Sequence, residues 1–419
     1  MVQKNGSTSV SVCHPVCCGL DIHKDLIVAC LIKEKADGTE WSELREFRAF
    51  REDLIKMRDW LVEQACPIVA MESTGIYWRP VYNILEETVQ VILVNARHVK
   101  NVPGRKTDMA DSKWLAGLLR HGLLQGSFIP PAHVRDWRDL MRMRRGLIEH
   151  AGDYKRRIHK VLESANVKLG SVLVNIFGAT GRRLLDLLME RETEITVDEV
   201  EVCMRGILKH TKEEIWEALQ GNIRDQHRYM VRKYLQLLDS IEREIADLDN
   251  QVQALMTPYN PLILRLKAMP GIGDTAACQI LAEIGHTLEQ FPSSAALASW
   301  AGLCPGNNQS AGKRRSGKSP VRRHYLKTIM VEVAWAAIRK KGSYYRDKFY
   351  RLRVRLGPRK ALVAVAHRLL NAVYHVIKEE KEFRDLGENY LLLRNQSRKL
   401  SALKRQAKLL GYELNPIAE

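Results

Sequence analysis

Gly19-Leu20-Asp21-Ile22-His23 leads, after Lys24-Asp25, into Leu26-Ile27-Val28-Ala29-Cys30-Leu31-Ile32. Two apolar runs separated by a short polar break predict a pair of strands. The first carries a carboxylate, Asp21, between apolar neighbours. A charge there is costly unless it is paired or binds a metal. Ala36-Asp37-Gly38-Thr39 reads as a turn and Leu44-Arg45-Glu46-Phe47 as a third, alternating strand. Leu54, Ile55, Met57, Trp60 and Leu61 give Glu52 to Ala65 helical spacing. Ile68-Val69-Ala70-Met71 is a short buried strand ending at Glu72-Ser73-Thr74-Gly75. A helix over Trp78 to Glu87 and a strand over Val89 to Val94 follow. Three strands and then alternating helix and strand predict a mixed sheet with helices packed on it.

Pro103-Gly104 marks a loop, and Thr107 is a candidate N-cap for a helix through Asp108, Asp111, Trp114, Leu115, Leu118 and Leu119. Asp108 and Asp111, three apart, lie on one side of it. Alone, each acid is weak evidence: the helix pair could be solvated charges, and Asp21 could cap a turn. Their order is more specific. An Asp in the first strand, a Glu at a later strand end and paired Asp residues on the helix after the last strand suit an RNase-H-like sheet, where such positions converge at one edge. Four gathered carboxylates repel unless cations intervene, and Mg²⁺ prefers oxygen ligands. Two such ions roughly 3.5–4 Å apart serve phosphodiester chemistry.

The chain has 419 residues, enough for two or three domains. With 45% hydrophobic and 27% charged residues it reads as globular rather than disordered. Its net charge of +17 points to a polyanionic partner, with nucleic acid the default. Eight dispersed cysteines without a CxxC suit a reducing cytoplasm. Cys13-His14-Cys17-Cys18 offers a zinc half-site at most, because no second ligand pair follows at finger spacing. MVQKNGSTSV has no apolar run, and no stretch approaches roughly 18 apolar residues. Neither secretion nor membrane spanning is expected.

Residues 132–258 are helical in pattern. Val231, Tyr234, Leu238, Ile241, Ile245, Leu248, Val252 and Leu255 alternate steps of three and four, a heptad seam. It suits either a dimerising coiled coil, the reading preferred here, or an intramolecular helical hairpin. Pro258 and Pro261 end it, and a second globular unit begins near Leu262. There, Met269-Pro270-Gly271-Ile272-Gly273 between two apolar helices has the pattern of a helix-hairpin-helix. Gly271 and Gly273 would let backbone amides approach a phosphate without reading sequence. The bland alternative is a tight interhelical turn.

From Lys313 to Lys360 there are 17 Lys+Arg and only two acids, Glu332 and Asp347. Lys313, Arg314, Arg315, Lys318, Arg322 and Arg323 head this surface, and phosphate binding there would be salt-dependent. Trp335, Tyr344, Tyr345, Phe349 and Tyr350 could stack on bases or fill the helix core. Gly312 to Ser319 matches the P-loop pattern GxxxxGK[ST], but polar residues precede it where a P-loop needs a buried strand, so a phosphate-contacting loop is expected instead.

Gly19-Leu20-Asp21-Ile22-His23-Lys24-Asp25, Met71-Glu72-Ser73-Thr74-Gly75 and Pro103-Gly104-Arg105-Lys106-Thr107-Asp108-Met109-Ala110-Asp111 resemble segments of the DEDD transposases of the IS110 insertion-sequence family. The resemblance covers about residues 18–390. It implies a RuvC-like N-terminal domain in which Asp21, Glu72, Asp108 and Asp111 bind metal, with Lys106 in one of the most recognisable stretches. Gly302-Leu303-Cys304-Pro305 and Ser310-Ala311-Gly312-Lys313 match the family's C-terminal pattern, implying that Ser310 is a nucleophile forming a phosphoserine link to DNA. Ser316 and Ser319 are competing candidates. Val321-Arg322-Arg323 departs from the family, whose members often keep Gly there. The resemblance also implies a structured guide RNA made from the element's own end.

The expected architecture is α/β plus all-α: a tail over 1–17, an RNase-H-like domain over 18–130, a helical coiled-coil connector over 131–258, a mostly helical DNA-binding domain over 259–393 and a basic tail over 394–419. The expected function is Mg²⁺-dependent strand cleavage and rejoining of DNA. The partners would be DNA, guide RNA and a dimer or tetramer formed through residues 231–255, in a bacterial cytoplasm at the nucleoid. A water-using nuclease or Holliday-junction resolvase is one alternative, in which Ser310 would be dispensable. A non-catalytic nucleic-acid-binding protein is another.

Overall fold

The computed structural model describes residues 11–35, 37–72, 75–94, 108–191, 193–305, 308–310, 313–316 and 324–413. The chain divides into two compact units, Met1–Ile129 and Pro130–Glu419.

The first unit is built on five strands: β1 (Val16–Ile22), β2 (Leu26–Glu34), β3 (Glu40–Arg48), β4 (Ile68–Glu72) and β5 (Gln90–Val94). Helices α1 (Arg51–Glu63), α2 (Trp78–Leu85) and α3 (Asp108–Arg120) complete it. The sheet order is β3-β2-β1-β4-β5. β1 pairs antiparallel with β2, and β2 with β3, whereas β1–β4 and β4–β5 are parallel. This is the RNase-H-like arrangement, with the Asp21 strand at the centre. β1 begins at Val16, inside the stretch the sequence suggested as tail, and β3 is longer than Leu44–Phe47 at both ends. β3 is an edge strand whose exposed charged residues discourage further pairing.

Side chains alternate across a strand, and both faces of this sheet are apolar. Leu20, Ile22, Val69 and Met71 pack with Leu54, Met57 and Leu61 of α1 and with Val81 and Leu85 of α2. On the opposite face Cys17, Cys30, Ile32, Ile68 and Ala70 pack with Ala116 and Leu119 of α3. Cys17 and Cys18 thus point to opposite faces, which rules out their sharing a zinc ion. Burial raises both thiols well above their ordinary range, Cys17 to about 12.

In the second unit, α4 (Ala132–Ser164) is followed by α5 (Leu169–Val172), α6 (Ala179–Glu190), α7 (Val197–Cys203), α8 (Lys212–Leu219) and the long α9 (Asp225–Met256). Thr196 and Thr211 close capping boxes on α7 and α8. α4 and α9 run antiparallel, joined by Arg144–Asp249 at 2.5 Å and Lys155–Glu242 at 3.0 Å. Val231 and Leu235 share a core with Ile158, Val161 and Leu162 of α4 and Leu184, Leu185 and Leu188 of α6. Of the heptad residues, Val231, Leu238, Leu248 and Val252 are buried within this one chain, and Leu255 is exposed. Within the chain, the α4–α9 hairpin covers the buried part of this seam, and Tyr234, Ile241 and Ile245 are half-buried.

Then come α10 (Asn260–Lys267), α11 (Asp274–Ile284), α12 (Ser294–Trp300), the hairpin β6 (Asn308–Ser310)–β7 (Lys313–Ser316), α13 (Tyr325–Ala337), α14 (Tyr344–Leu356), α15 (Pro358–Lys378) and α16 (Tyr390–Leu409). α15 is the axis of this part: Ala361, Val365, Ala366, Leu369, Leu370 and Val373 are fully buried. Among the described residues, no helix is long and apolar enough to cross a membrane.

Candidate active site and nucleic-acid-binding segments

The acids are placed by strand register. Cys18↔Val69, Gly19↔Ala70 and Leu20↔Met71 pair in parallel, so one step further Asp21 lies beside Glu72. Asp21 follows Cys17 and Gly19 at steps of two, and Glu72 follows Ile68 and Ala70. Both acids therefore face the side covered by α3.

Gly19 sets how closely α3 approaches. A Cβ built on it would stand 2.1 Å from the Ser112 carbonyl oxygen and 2.5 Å from the Ala116 nitrogen. Only glycine lets helix backbone rest on strand backbone here. At the other end of the helix, the Arg120 carbonyl accepts hydrogen bonds from the amides of Cys13 and His14, and its guanidinium donates to Glu34 at 3.1 Å. α3 thus runs back along β1, its first turn toward the strand's C-terminal end. From Ser112 to Asp108 the helix advances about 6 Å. From Gly19 to Asp21 the strand advances about 6.6 Å. The start of α3 comes level with Asp21, and Asp111 lies next to the Gly19 contact.

Asp21, Glu72, Asp111 and the backbone of Asp108 are thus brought to one end of one sheet face. The Asp108 side chain and Lys106 lie outside the described residues. Among the described residues no three His, Cys, Asp or Glu side chains form a group that could hold a metal ion, so Asp21, Glu72 and Asp111 alone do not make a closed site. Asp21 Oδ2 is 3.1 Å from His23 Nε2, and its side chain is 17% exposed. Neither Asp21 nor Glu72 has a Lys or Arg partner among the described residues. His23 was missed from sequence. The signal was there: at two residues beyond Asp21 it continues the same strand face.

In the second unit, the 269–273 turn joins α10 to α11 with a buried apex. Met269 and Ile272 are core residues. Gly271, at φ +83°, lies against α13: a Cβ there would be 2.3 Å from the Val333 carbonyl oxygen and 2.7 Å from the Ala337 nitrogen. This gives Gly271 a packing duty. Gly273 is exposed, N-caps α11 and meets nothing. Beside it Asp274 pairs with Lys267 at 2.6 Å, so a phosphate at this helix start would meet a carboxylate already there.

The expected phosphate-contacting loop contains a hairpin instead. β6 and β7 are antiparallel, with Ser310 opposite Lys313 and a register shift at Asn308/Gln309. The backbone places Ser310 at the end of β6 and Lys313, Arg314 and Arg315 along β7. A P-loop needs irregular backbone where β7 is a strand, so that reading is excluded. The side chains of Ser310, Lys313, Arg314, Arg315 and Ser316, and all of Lys318, Ser319, Arg322 and Arg323, lie outside the described residues. The five aromatics divide: Tyr345 and Phe349 are core, Trp335 and Tyr350 are exposed, and Tyr344 lines a pocket at the start of α14.

Residues 18–167 match a family model described as a transposase and named for the DEDD transposases of IS110. Residues 264–351 match one described as the transposase IS116/IS110/IS902 family. No curated protein matches the chain. Among solved structures, Thermus thermophilus RuvC is similar at 13% identity, with 27% of this chain and 99% of that chain covered and a TM-score of 0.21. T. thermophilus RuvC in complex with a Holliday junction substrate is similar at 14% identity, with 27% and 99% covered and a TM-score of 0.20. The two family models follow one another along the chain and together span more than half of it, and the chain belongs to the IS110 family of DEDD transposases.

Proposed function

We propose that this transposase cuts and rejoins DNA through a serine-linked intermediate, with Asp21, Glu72, Asp108 and Asp111 as its metal-binding acids. The observation that carries the reading is the register placing Asp21 and Glu72 side by side on the face toward which the first turn of α3 runs. The donor set consists of hard oxygens, and Asp21 and Glu72 have no cationic side-chain partner among the described residues. Both features suit Mg²⁺, as one ion or two. When bound, the metal would ease proton loss from the attacking hydroxyl and offset charge on the departing oxygen.

The chain's own residues do the rest. The Ser310 hydroxyl gives up its proton and its oxygen bonds to phosphorus. One phosphorus–oxygen bond of the DNA strand breaks, and the released strand oxygen takes a proton. One phosphodiester replaces another, so attack by a second strand's hydroxyl on the seryl ester rejoins DNA without an external energy source. His23 holds the Asp21 carboxylate in position. Lys313, Arg314 and Arg315, with Lys106, Lys318, Arg322 and Arg323, hold phosphates without reading bases. A guide RNA accords with the family and with the +17 charge. A dimer or tetramer would supply one site per strand, using surfaces other than the α9 face spent on α4.

Denaturing gels on the full chain with labelled element-end DNA test this. Asp21→Asn should lose Mg²⁺-dependent cleavage and keep DNA binding. Ser310→Ala should lose the covalent protein–DNA adduct and strand joining. Cleavage by Ser310→Ala at the parent rate would remove the serine mechanism and favour hydrolysis by water. RNA that co-purifies and is needed for joining supports guidance; joining with RNA-free protein removes that part.

A further inference from the structure

α14, α15, α16 and the chain between α15 and α16 line an open cavity of about 490 Å³, whose walls, apart from Tyr344 and Tyr345, lie beyond the segment matched by the C-terminal family model. That volume lies within the roughly 300–1,000 Å³ of small-ligand sites. Its walls combine three kinds of group. Tyr344 and Tyr390 meet edge to face with ring centres 5.8 Å apart, and Phe383 lies parallel to the buried Tyr345 at 6.3 Å. Arg368 and Arg394 line it as cations with no carboxylate partner among the described residues, Arg394 lying 6.0 Å from the Tyr390 ring. The third is Asn371, whose side-chain oxygen is buried with no hydrogen-bond partner among the described residues. An unpaired buried carboxamide oxygen costs free energy unless something supplies a donor.

Three acids, Glu379, Glu382 and Asp385, line the pocket against four cations, Arg368, Lys381, Arg384 and Arg394. Glu379 pairs with His375 at 2.7 Å and Lys381 at 2.8 Å. Asp385 accepts the amides of Tyr344 and Gly387, both at 3.0 Å, which fixes the connecting chain as a wall. Positive charge is left over, and it is felt: burial, then Arg368 and Arg394, hold the Lys348 ammonium below its ordinary range.

We propose that this pocket takes one unstacked nucleotide of a single-stranded nucleic acid, its base against Tyr344, Phe383 and Tyr390, its edge donating to Asn371, and its phosphate beside Arg368 and Arg394. A duplex base cannot present its face to the rings, because its neighbours cover it. A single strand can, and ring stacking with cationic backbone contact is the general means of holding one. The proposal is independent of the strand-transfer reading, since its test measures binding alone.

The test uses the full chain without divalent cations, and fluorescence anisotropy with short single strands that either carry bases or are abasic throughout. Each is made with deoxyribose and with ribose. The parent should prefer base-bearing strands of at least one sugar by about tenfold. The sugar that shows the preference tells whether DNA or RNA is the source. Tyr390→Ala and Asn371→Ala should reduce the preference several-fold. Arg394→Gln should weaken base-bearing and abasic strands alike and lower the salt slope by about one. A parent without preference in either sugar overturns the proposal, as does a Tyr390→Ala protein that melts like the parent and keeps the preference. Should Asn371→Ala fail to fold, Tyr390→Ala and Arg394→Gln decide the matter.

Discussion

Gly19 and Ser112 are held so close that a single methyl group on Gly19 would stand 2.1 Å from the Ser112 carbonyl oxygen. That contact sets how low α3 rests on β1, and with it the height of Asp111 above Asp21. Gly19→Ala should therefore cost at least about 1–3 kcal/mol of stability, the usual range for overpacking. It should also depress cleavage by more than the loss of folded protein explains. Denaturant titration alongside activity per folded molecule separates the two effects.

Gly271 and Gly273 stand two residues apart and should respond oppositely to alanine. At Gly271 the positive φ and the α13 backbone both oppose a Cβ, and backbone strain alone costs about 1–3 kcal/mol. At Gly273 the backbone is extended and the space open, so alanine should be neutral or stabilise by up to about 1 kcal/mol through the unfolded chain. Melting curves of the two variants check this. Weaker DNA binding by Gly273→Ala at full stability would support an anion contact at the start of α11.

Glu283 is a buried carboxylate that fastens α11 to α4. Arg142 donates to both its oxygens, at 3.1 and 3.0 Å, and Arg138 Nε lies 3.6 Å away. Glu283→Ala takes the acceptor from Arg142, which is partly solvated, and should cost about 1–3 kcal/mol. Replacing Glu283 and Arg142 together should cost less than the sum of the two single changes, and a double-mutant cycle measures the difference.

Stability should fall on mild acidification. Burial, and then the charge of His133, hold the His286 imidazole below its ordinary value of 6.5, and burial with Arg368 does the same to His367. The His286 ring lies 4.8 Å from Tyr259 and 5.6 Å from His133, and its Nδ1 is buried without a hydrogen-bond partner among the described residues. A depressed value means the unfolded chain takes the proton first. Stability is complete above about pH 6.5 and declines as pH falls below it. Melting temperature followed from about pH 7.5 to 5 should show that slope, and His286→Phe should flatten part of it.

Much of the first unit was legible because its strands are short apolar runs between turn residues, and the acids interrupt those runs at positions where water or a metal must be reached. The sheet order was less so. Nothing local in Ile68–Met71 says that it lies beside β1 rather than β3, since pairing is chosen by the whole core. The duty of Gly19 was hidden for the same reason: a glycine in a strand announces a close approach without naming what approaches. The α9 seam shows a different limit. A heptad states that a helix wants a partner along one stripe, and α4, equally long, supplies it from the same chain. The β6–β7 hairpin went unread because Lys313-Arg314-Arg315-Ser316 lacks the apolar alternation that marks a half-buried strand. The pocket around Asn371 went unread because its walls come from residues up to fifty positions apart.

A strand turns its side chains over at every step, and this has a consequence for how the protein can change over generations. Substitution at Leu20 alters only what fills the core beneath α1 and α2. Adding or deleting one residue between Gly19 and Asp21 would leave the composition nearly intact and send the carboxylate to the opposite side of the sheet, among aliphatic neighbours. The spacing from Cys17 to Ile22 therefore matters more to the site than most of the letters that occupy it, and diverged relatives should vary there in identity long before they vary in length.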